Sequence, residues 1–164
     1  MSRPPSSPPV AVPRASRLSL LLSCFLILLV ALLACAPLLR HGAIDGHDLE
    51  FHLIWIRQFT AALSQGVIYP RWLMDMNLGT GSPTFYYYPP MAYYLSAIPG
   101  LISSGIALPA QHAIGETLIV ALSGLSFHRY ARRRFSAPAA LFGALLYMLL
   151  PYHYLVDLWT RQDL

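Results

Sequence analysis

The chain has 164 residues, of which 56% are hydrophobic and only 11% are charged. Soluble domains carry about 25% charged residues, so this composition excludes an ordinary soluble globular domain and is typical of a membrane protein. All 11 basic residues are arginines, and they exceed the 7 acidic residues to leave a net charge of +4. This excess of positive charge is small and its arginines are clustered, which indicates a role in orienting the chain in a membrane. We expect no nucleic-acid partner.

The N-terminal part combines a basic tail with a long apolar segment. Residues 1–17 are rich in Pro and Ser, and we expect a disordered cytoplasmic tail. Residues 18–39 hold no charge over 22 positions, and about 20 apolar residues suffice to cross a ~30 Å hydrocarbon core. They predict the first transmembrane helix. The alternative is a cleaved signal peptide, because Ala34-Cys35-Ala36 resembles a cleavage site, although a signal core has only about 7–15 residues.

The rest of the chain contains one interrupted and two continuous apolar segments. Residues 85–108 are uncharged but broken by Pro and Gly and rich in Tyr, which prefers the membrane interface. We therefore predict an external loop over residues 40–111 that contains interfacial or re-entrant helices. The remaining predicted elements are a transmembrane helix at 112–130, a basic cytoplasmic loop at 131–136, a third transmembrane helix at 137–158 and an external end at 159–164.

The distribution of arginine favours three crossings over four. With three crossings, 7 arginines lie inside and 4 outside, whereas four crossings reverse this ratio and oppose the positive-inside tendency. The predicted fold class is thus an all-α polytopic membrane protein with about three transmembrane helices, and four is the alternative. We expect His112 and Glu116, at the start of the second of these helices, to reach towards lipid headgroups.

An acidic and histidine-rich stretch follows the first apolar segment. Residues 45–52 contain three acids and two histidines. Asp48 is a good helix N-cap type, and His52 would share its face one turn on. Three interpretations are open, namely plain helix capping, a metal pair formed by Asp48 and His52, or a carboxylate that acts as a base beside a divalent cation.

Two further stretches contain groups suited to binding a phosphate or a sugar. In Tyr69-Pro-Arg-Trp72, the planar fork of Arg71 can grip a phosphate and Trp72 can stack on a sugar or anchor in headgroups. Gly79-Thr-Gly81 predicts a turn and not a nucleotide loop, because no strand precedes it and no lysine follows. Arg161 lies in a polar group at the exit of the last predicted helix, on the same side of the membrane as Asp48 in the three-crossing arrangement.

These motifs together resemble a known group of bacterial membrane proteins. The strings are Asp48-Leu-Glu-Phe-His-Leu53, Tyr69-Pro-Arg-Trp72, Asn77-Leu-Gly-Thr-Gly-Ser-Pro83, Phe85-Tyr-Tyr-Tyr-Pro-Pro90 and Pro151-Tyr-His-Tyr-Leu-Val-Asp-Leu-Trp-Thr-Arg161. They resemble the proteins labelled "6-pyruvoyl-tetrahydropterin synthase-related", whose layout is similar to that of the GT-C glycosyltransferases. The resemblance is not to the soluble pterin enzyme, which needs a β-rich metal-binding fold.

The resemblance implies a function and a location. It implies the N-terminal part of a multi-pass glycosyltransferase of the bacterial cytoplasmic (inner) membrane, acting in the cell envelope on a polyprenyl-phosphate-linked sugar. Asp48 matches the catalytic loop acid, with Asp45 as the runner-up, and Arg161 falls near a later polar motif. We assign Arg71, Trp72, Tyr87 and Arg161 to substrate binding, and Asp48 with His52 to a divalent cation, Mg²⁺ or Mn²⁺.

The resemblance also leaves open which partners the chain needs. Proteins of this kind have many more helices, so we expect either further C-terminal helices or a partner membrane protein. The alternatives are a non-catalytic membrane protein that binds lipid-linked glycan or a partner, and a transporter fragment.

The predicted topology can be tested by cysteine labelling. In a variant without Cys24 and Cys35, we expect Ser64→Cys to react with an impermeant thiol reagent added outside intact cells, and Ser136→Cys to stay unlabelled. Equal labelling of both cysteines from outside would contradict three crossings.

Overall fold

A computed structural model describes residues 16–42 and 48–152 of the chain. Over these ranges the fold is all-α, as predicted, with no strand beyond an isolated antiparallel bridge between Leu73 and Ser82. The helices are α1 (Arg17–Ala34), α2 (Ala36–His41), α3 (Leu49–Ser64), α4 (Thr84–Tyr87), α5 (Met91–Ile102), α6 (Leu108–Ala131) and α7 (Ala137–Met148), with a 3-10 turn at Asn77–Gly79.

Helix α1 packs along one narrow stripe and exposes the rest of its apolar surface. The Ser16 hydroxyl caps its first turn by accepting a hydrogen bond from the Ser19 N–H (3.1 Å). Its buried residues recur at helical spacing, and its other positions are mostly exposed leucines. Among the residues that the structure describes, α1 is the one helix that is both long and apolar enough to cross a membrane.

Helix α6 is the centre of the fold. It contacts α1, α2, α3, α5 and α7. It runs antiparallel to α1, because Gly124 lies beside Ile27 in the middle of the pair and Pro109 lies beside Gly42 at one end. The 24 residues of α6 extend about 36 Å, so its N-terminus and its C-terminus are separated by roughly the thickness of a hydrocarbon core.

Helix α7 covers only part of the length of α6. Gly143 faces Phe127, and Met148 packs on Gly124 near the middle of α6, where the helix ends and the chain turns at Leu149. Its 12 residues extend about 18 Å. Helix α7 therefore coincides with the first part of the predicted third span, whose residues 153–158 lie outside the described ranges.

The predicted external loop contributes a second layer that is built mainly of α3 and α5. Helix α5 has 12 residues, about 18 Å, and is too short to cross a ~30 Å core alone. It packs against both α3 and α6. The core of this layer is a cluster of buried aromatic and aliphatic side chains (Ile56, Phe59, Leu73, Phe85, Tyr93 and Ala97). The layer thus attaches to α6 largely through α5.

The expectation for His112 and Glu116 is wrong with respect to their exposure. Both side chains are buried in α6, with His112 fully enclosed, instead of reaching towards headgroups. They lie one turn apart, and His112 Nε2 is 3.9 Å from Glu116 Oε1. The physical reason is that α2, α3 and α5 pack against α6, so that His112 and Glu116 face protein.

The closest approach between α5 and α6 depends on Gly115. A Cβ at this position would collide with the Ser96 side chain and lie 3.0 Å from the Ser96 Cα. Replacement of glycine by alanine inside a helix normally stabilises it by about 0.5–1 kcal/mol. Forced separation of packed backbones typically costs about 1–3 kcal/mol.

We therefore expect Gly115→Ala to lower the free energy of unfolding of the detergent-solubilised protein by about 1–2 kcal/mol, and with it the thermal midpoint. The control is Ser126→Ala, an exposed position on the same helix, which should change stability little. The measurement is the midpoint of heat-induced loss of the monodisperse species in size-exclusion chromatography. A Gly115→Ala midpoint equal to or above that of the wild type would contradict the close approach.

Candidate functional site

The predicted acidic site lies at the start of α3. Helix α3 begins at Leu49 with Asp48 as its N-cap residue, as the sequence pattern predicts, although the Asp48 side chain makes no capping hydrogen bond. The Asp48 carbonyl accepts a hydrogen bond from the His52 N–H (3.2 Å), which places His52 one turn along the helix. Asp48 is half-buried and His52 is buried.

His52 is held by a tyrosine from a different helix. Its Nδ1 and the Tyr93 hydroxyl share a hydrogen bond of 2.6 Å between two buried side chains. The two rings are also stacked, with centroids 6.0 Å apart. This contact joins α3 to α5 and fixes the orientation of the imidazole, because ring rotation would break the hydrogen bond.

Aromatic rings surround the His52–Tyr93 pair. Trp55 meets His52 edge-on at 5.5 Å between centroids, and Phe85 meets Tyr93 in the same manner at 4.7 Å. Edge-to-face geometry within 7 Å is the favoured arrangement for such pairs. The rings exclude water from the imidazole and connect α3 and α5 to the segment around Phe85.

The segment between α3 and α5 is a compact loop fastened to both helices. The Gln58 side chain on α3 accepts a hydrogen bond from the Asp75 N–H (2.9 Å), and the Tyr69 hydroxyl donates to the Phe85 carbonyl (2.9 Å). Leu73 and Ser82 exchange two backbone hydrogen bonds of 2.9 Å each. The predicted turn between them is present, and it is tight enough for both central residues of Met76-Asn-Leu-Gly to have positive φ.

Arg71 and Trp72 lie in this loop with different surroundings. The Arg71 guanidinium is exposed and lies over the Tyr69 ring at 4.8 Å and the Tyr86 ring at 5.6 Å. The Trp72 indole covers Gly81, whose φ of +84° and lack of a Cβ make room for it. Trp72 also lines a cavity of about 260 Å³ together with Gln58 and Asp75.

The structure therefore brings the predicted residues together in two groups. Asp48 and His52 form one group at the start of α3, and Arg71 and Trp72 form the other in the loop that Gln58 fastens to the same helix. Tyr87 is 83% exposed in α4, next to Tyr86 that Arg71 covers. Asp45 and Arg161 lie outside the described residues.

A second cavity, of about 470 Å³, lies between α3, the end of α5 and the start of α6. Arg57, Thr60 and Gln111 contribute polar groups to its wall. The buried Thr60 Oγ1 and Gln111 Oε1 have no hydrogen-bond partner within the described part of the chain. Such groups are suited to a polar ligand rich in hydroxyl groups.

Sequence reasoning missed Tyr93, Gln58 and Gln111. Tyr93 stands in an apolar segment where tyrosine is easily assigned to the interface, yet it belongs to the buried stripe Tyr93, Ser96, Ala97 at helical spacing. That stripe was the available signal. Nothing local marks Gln58 and Gln111, because their roles depend on contacts with distant residues.

The divalent cation stays a prediction. Within residues 16–42 and 48–152 no group of three or more His, Cys, Asp or Glu side chains is arranged to hold a metal ion. Asp48 and His52 supply two candidate ligands, and the His52 Nδ1 is engaged with Tyr93. Mg²⁺ in proteins is commonly bound by one or two carboxylates and completed by water or substrate phosphate oxygens.

Comparison with known proteins provides no family assignment. No protein-family model, no curated protein and no solved structure matches the chain.

The role of Tyr93 can be tested by removal of its hydroxyl. Tyr93→Phe removes the buried hydrogen bond between the Tyr93 hydroxyl and His52 Nδ1. We expect the free energy of unfolding to fall by about 1–3 kcal/mol. The measurement is the thermal midpoint in detergent, with Tyr130→Phe, an exposed tyrosine, as the matched control. Addition of His52→Leu to Tyr93→Phe should recover part of the loss, because the buried polar partner is also gone. A Tyr93→Phe midpoint equal to that of the control would contradict a structural role for this contact.

Proposed function

We propose that the chain acts within a GT-C-like membrane glycosyltransferase that takes its sugar from a polyprenyl-phosphate carrier in the bacterial inner membrane. The observation that carries the proposal is the arrangement of Asp48 and His52. A half-buried carboxylate begins α3, and one turn later a buried imidazole is held by Tyr93. A positioned carboxylate of this kind is what a general base requires.

The distribution of charge and apolar surface supports membrane insertion. Arg17 and Arg132 share one cavity at one end of α6, whereas Gly42, six residues before Asp48, packs at the other end. Helix α1 exposes leucines on most of its surface, which favours contact with lipid. Because His112 and Glu116 are buried against protein, α6 is also suited to a bilayer in spite of these ionisable residues. These features support a multi-pass chain with Asp48 outside.

The proposed reaction transfers one sugar to an acceptor hydroxyl. The acceptor oxygen forms a bond to the anomeric carbon, and the bond from that carbon to the phosphate oxygen breaks. The acceptor proton moves to the Asp48 carboxylate, and polyprenyl phosphate leaves with the electron pair of the broken bond. His52, fixed by Tyr93, keeps a defined position one turn from the acid.

The loop residues are suited to donor binding. Arg71 offers an exposed planar guanidinium to the donor phosphate, and its contacts with Tyr69 and Tyr86 restrict its movement. We assign stacking on the sugar to Trp72 and Tyr87, both of which present exposed ring surface. Arg161 belongs to the proposed phosphate site by resemblance, and Asp45 is the next candidate for the base.

A non-catalytic function in glycan binding is the second candidate. The observation that favours it is the cavity between α3, α5 and α6, where Thr60 and Gln111 offer unpartnered polar atoms within the described residues. A sugar held there would be bound without a carboxylate in the wall. A transfer assay decides between the two functions.

We expect Asp48→Asn to lower sugar transfer by about 10²–10⁴, because the amide keeps the size of the carboxylate and cannot accept the proton. The measurement is transfer from a polyprenyl-phosphate sugar in membranes that contain the full-length protein at matched expression. The control is Glu50→Gln, an exposed acid in the first turn of the same helix. Asp48→Asn transfer within a few-fold of the wild type would exclude Asp48 as the base. Binding of the carrier by the wild type without transfer would favour the non-catalytic function.

A further inference from the structure

A cavity of about 640 Å³ opens at the end of the molecule opposite Asp48. The N-terminal turns of α1 and the C-terminal turns of α6 form its walls. Its lining residues are Ser16, Arg17, Leu20, Cys24, Leu125, His128, Arg129, Arg132 and Arg133. None of these residues belongs to the proposed transfer site, so the cavity calls for a separate explanation.

The rim of the cavity is strongly basic. Arg17 comes from α1, and Arg129, Arg132 and Arg133 come from the end of α6 and the turn after it. Within the described part of the chain no carboxylate forms an ion pair with these four arginines, and one of them, Arg132, donates to the Phe135 carbonyl (3.2 Å). Several guanidinium groups around one opening, without an acid among them, favour an anion with phosphate-like oxygens.

The inner wall of the same cavity is apolar. Leu20 and Cys24 on α1 face Leu125 on α6. Along α1, Cys24 lies about 10 Å deeper than Arg17. The cavity therefore changes from charged to apolar over the distance that separates a lipid headgroup from the upper part of its acyl chain. A free inorganic anion would use the rim and leave the apolar wall uncovered.

His128 provides an independent indication of a ligand. It lines the cavity between the arginines and the apolar wall, and only 3% of its surface is exposed. Its Nε2 has no hydrogen-bond partner within the described residues. A buried polar atom without a partner costs free energy, and an oxygen-rich group in the cavity would supply the missing partner.

We propose that this cavity binds an anionic phospholipid of the cytoplasmic leaflet. The headgroup phosphate lies among Arg17, Arg129 and Arg133, and the acyl chain follows the apolar wall formed by α1 and α6. Basic pockets between helices at this surface are suited to such headgroups. The lipid bridges α1 and α6 at the end where loose packing leaves the cavity. The proposal rests on membrane insertion of the chain and not on glycosyl transfer.

The test compares two neighbouring arginines. Arg133 lines the cavity and Arg134 does not, so Arg133→Gln and Arg134→Gln remove the same charge from adjacent positions. The full chain is purified in mild detergent, mixed with phosphatidylglycerol or phosphatidylethanolamine, and examined by native mass spectrometry for bound lipid. We expect the wild type to retain phosphatidylglycerol in preference to phosphatidylethanolamine. Arg133→Gln should weaken this binding at least about tenfold, the loss expected for a charge-assisted hydrogen bond, and Arg134→Gln by less than about twofold.

Three results of the lipid-binding experiment would overturn the proposal. An equal loss of phosphatidylglycerol binding in Arg133→Gln and Arg134→Gln would mean that the lipid is held by general charge attraction. Equal retention of phosphatidylglycerol and phosphatidylethanolamine by the wild type would mean that the headgroup charge is not recognised. Displacement of phosphatidylglycerol by millimolar inorganic phosphate would assign the site to a free anion. Alkaline carbonate extraction separates this proposal from the proposed function. A chain released from membranes contradicts both, whereas a chain retained without lipid preference contradicts the lipid site alone.

Discussion

Close packing onto α6 is the constraint on which the rest of the structure depends. Gly115 lets α5 approach until a Cβ would meet the Ser96 backbone, and Gly124 lies where Ile27 of α1 and Met148 of α7 converge. Packing without voids at such points depends on small residues, and small residues are also the usual means of bringing helices together where water is absent. Because α6 accepts neighbours on several sides, several of its polar residues face protein. The burial of His112 and Glu116 follows directly from this arrangement.

The antiparallel pairing of α1 with α6 gives the molecule two chemically different ends. At one end, Arg17 meets the arginines that follow α6, and a cavity that is basic at its rim and apolar inside forms between the helices. At the other end, Gly42 packs on Pro109, and the layer of α3 and α5 begins shortly afterwards. About 34 Å of helix separates Pro109 from Arg132. The proposed lipid site and the proposed transfer site thus lie far apart, and a substitution in one is not expected to act directly on the other.

The His52–Tyr93 contact connects the proposed chemistry to the scaffold. Asp48 stands at the start of a helix, where its position depends on how α3 is oriented. Tyr93 fixes that orientation from α5, and α5 is in turn held against α6. The loop that contains Arg71 and Trp72 attaches to the same helix through Gln58. The helix that begins after Asp48, the His52 imidazole and the loop that contains Arg71 are therefore attached to the same aromatic core, and rigid elements of this kind are what positioned groups require.

The sequence by itself determined those features that depend on local pattern. The apolar run after Arg17 predicts α1, Asp48 predicts the start of α3, and the glycines around Thr80 predict a turn, because each depends on hydrophobicity, capping preference or permitted φ over a few residues. The all-α class follows from the long apolar segments. The tertiary structure decided which residues from distant parts of the chain lie next to each other. Tyr93 belongs to a core and not to an interface, and His112 faces protein and not headgroups. The Arg17 end of α1 meets the Arg132 end of α6 around a cavity. Contacts between residues 41 or more positions apart depend on the packing of whole helices, and no local pattern contains that information.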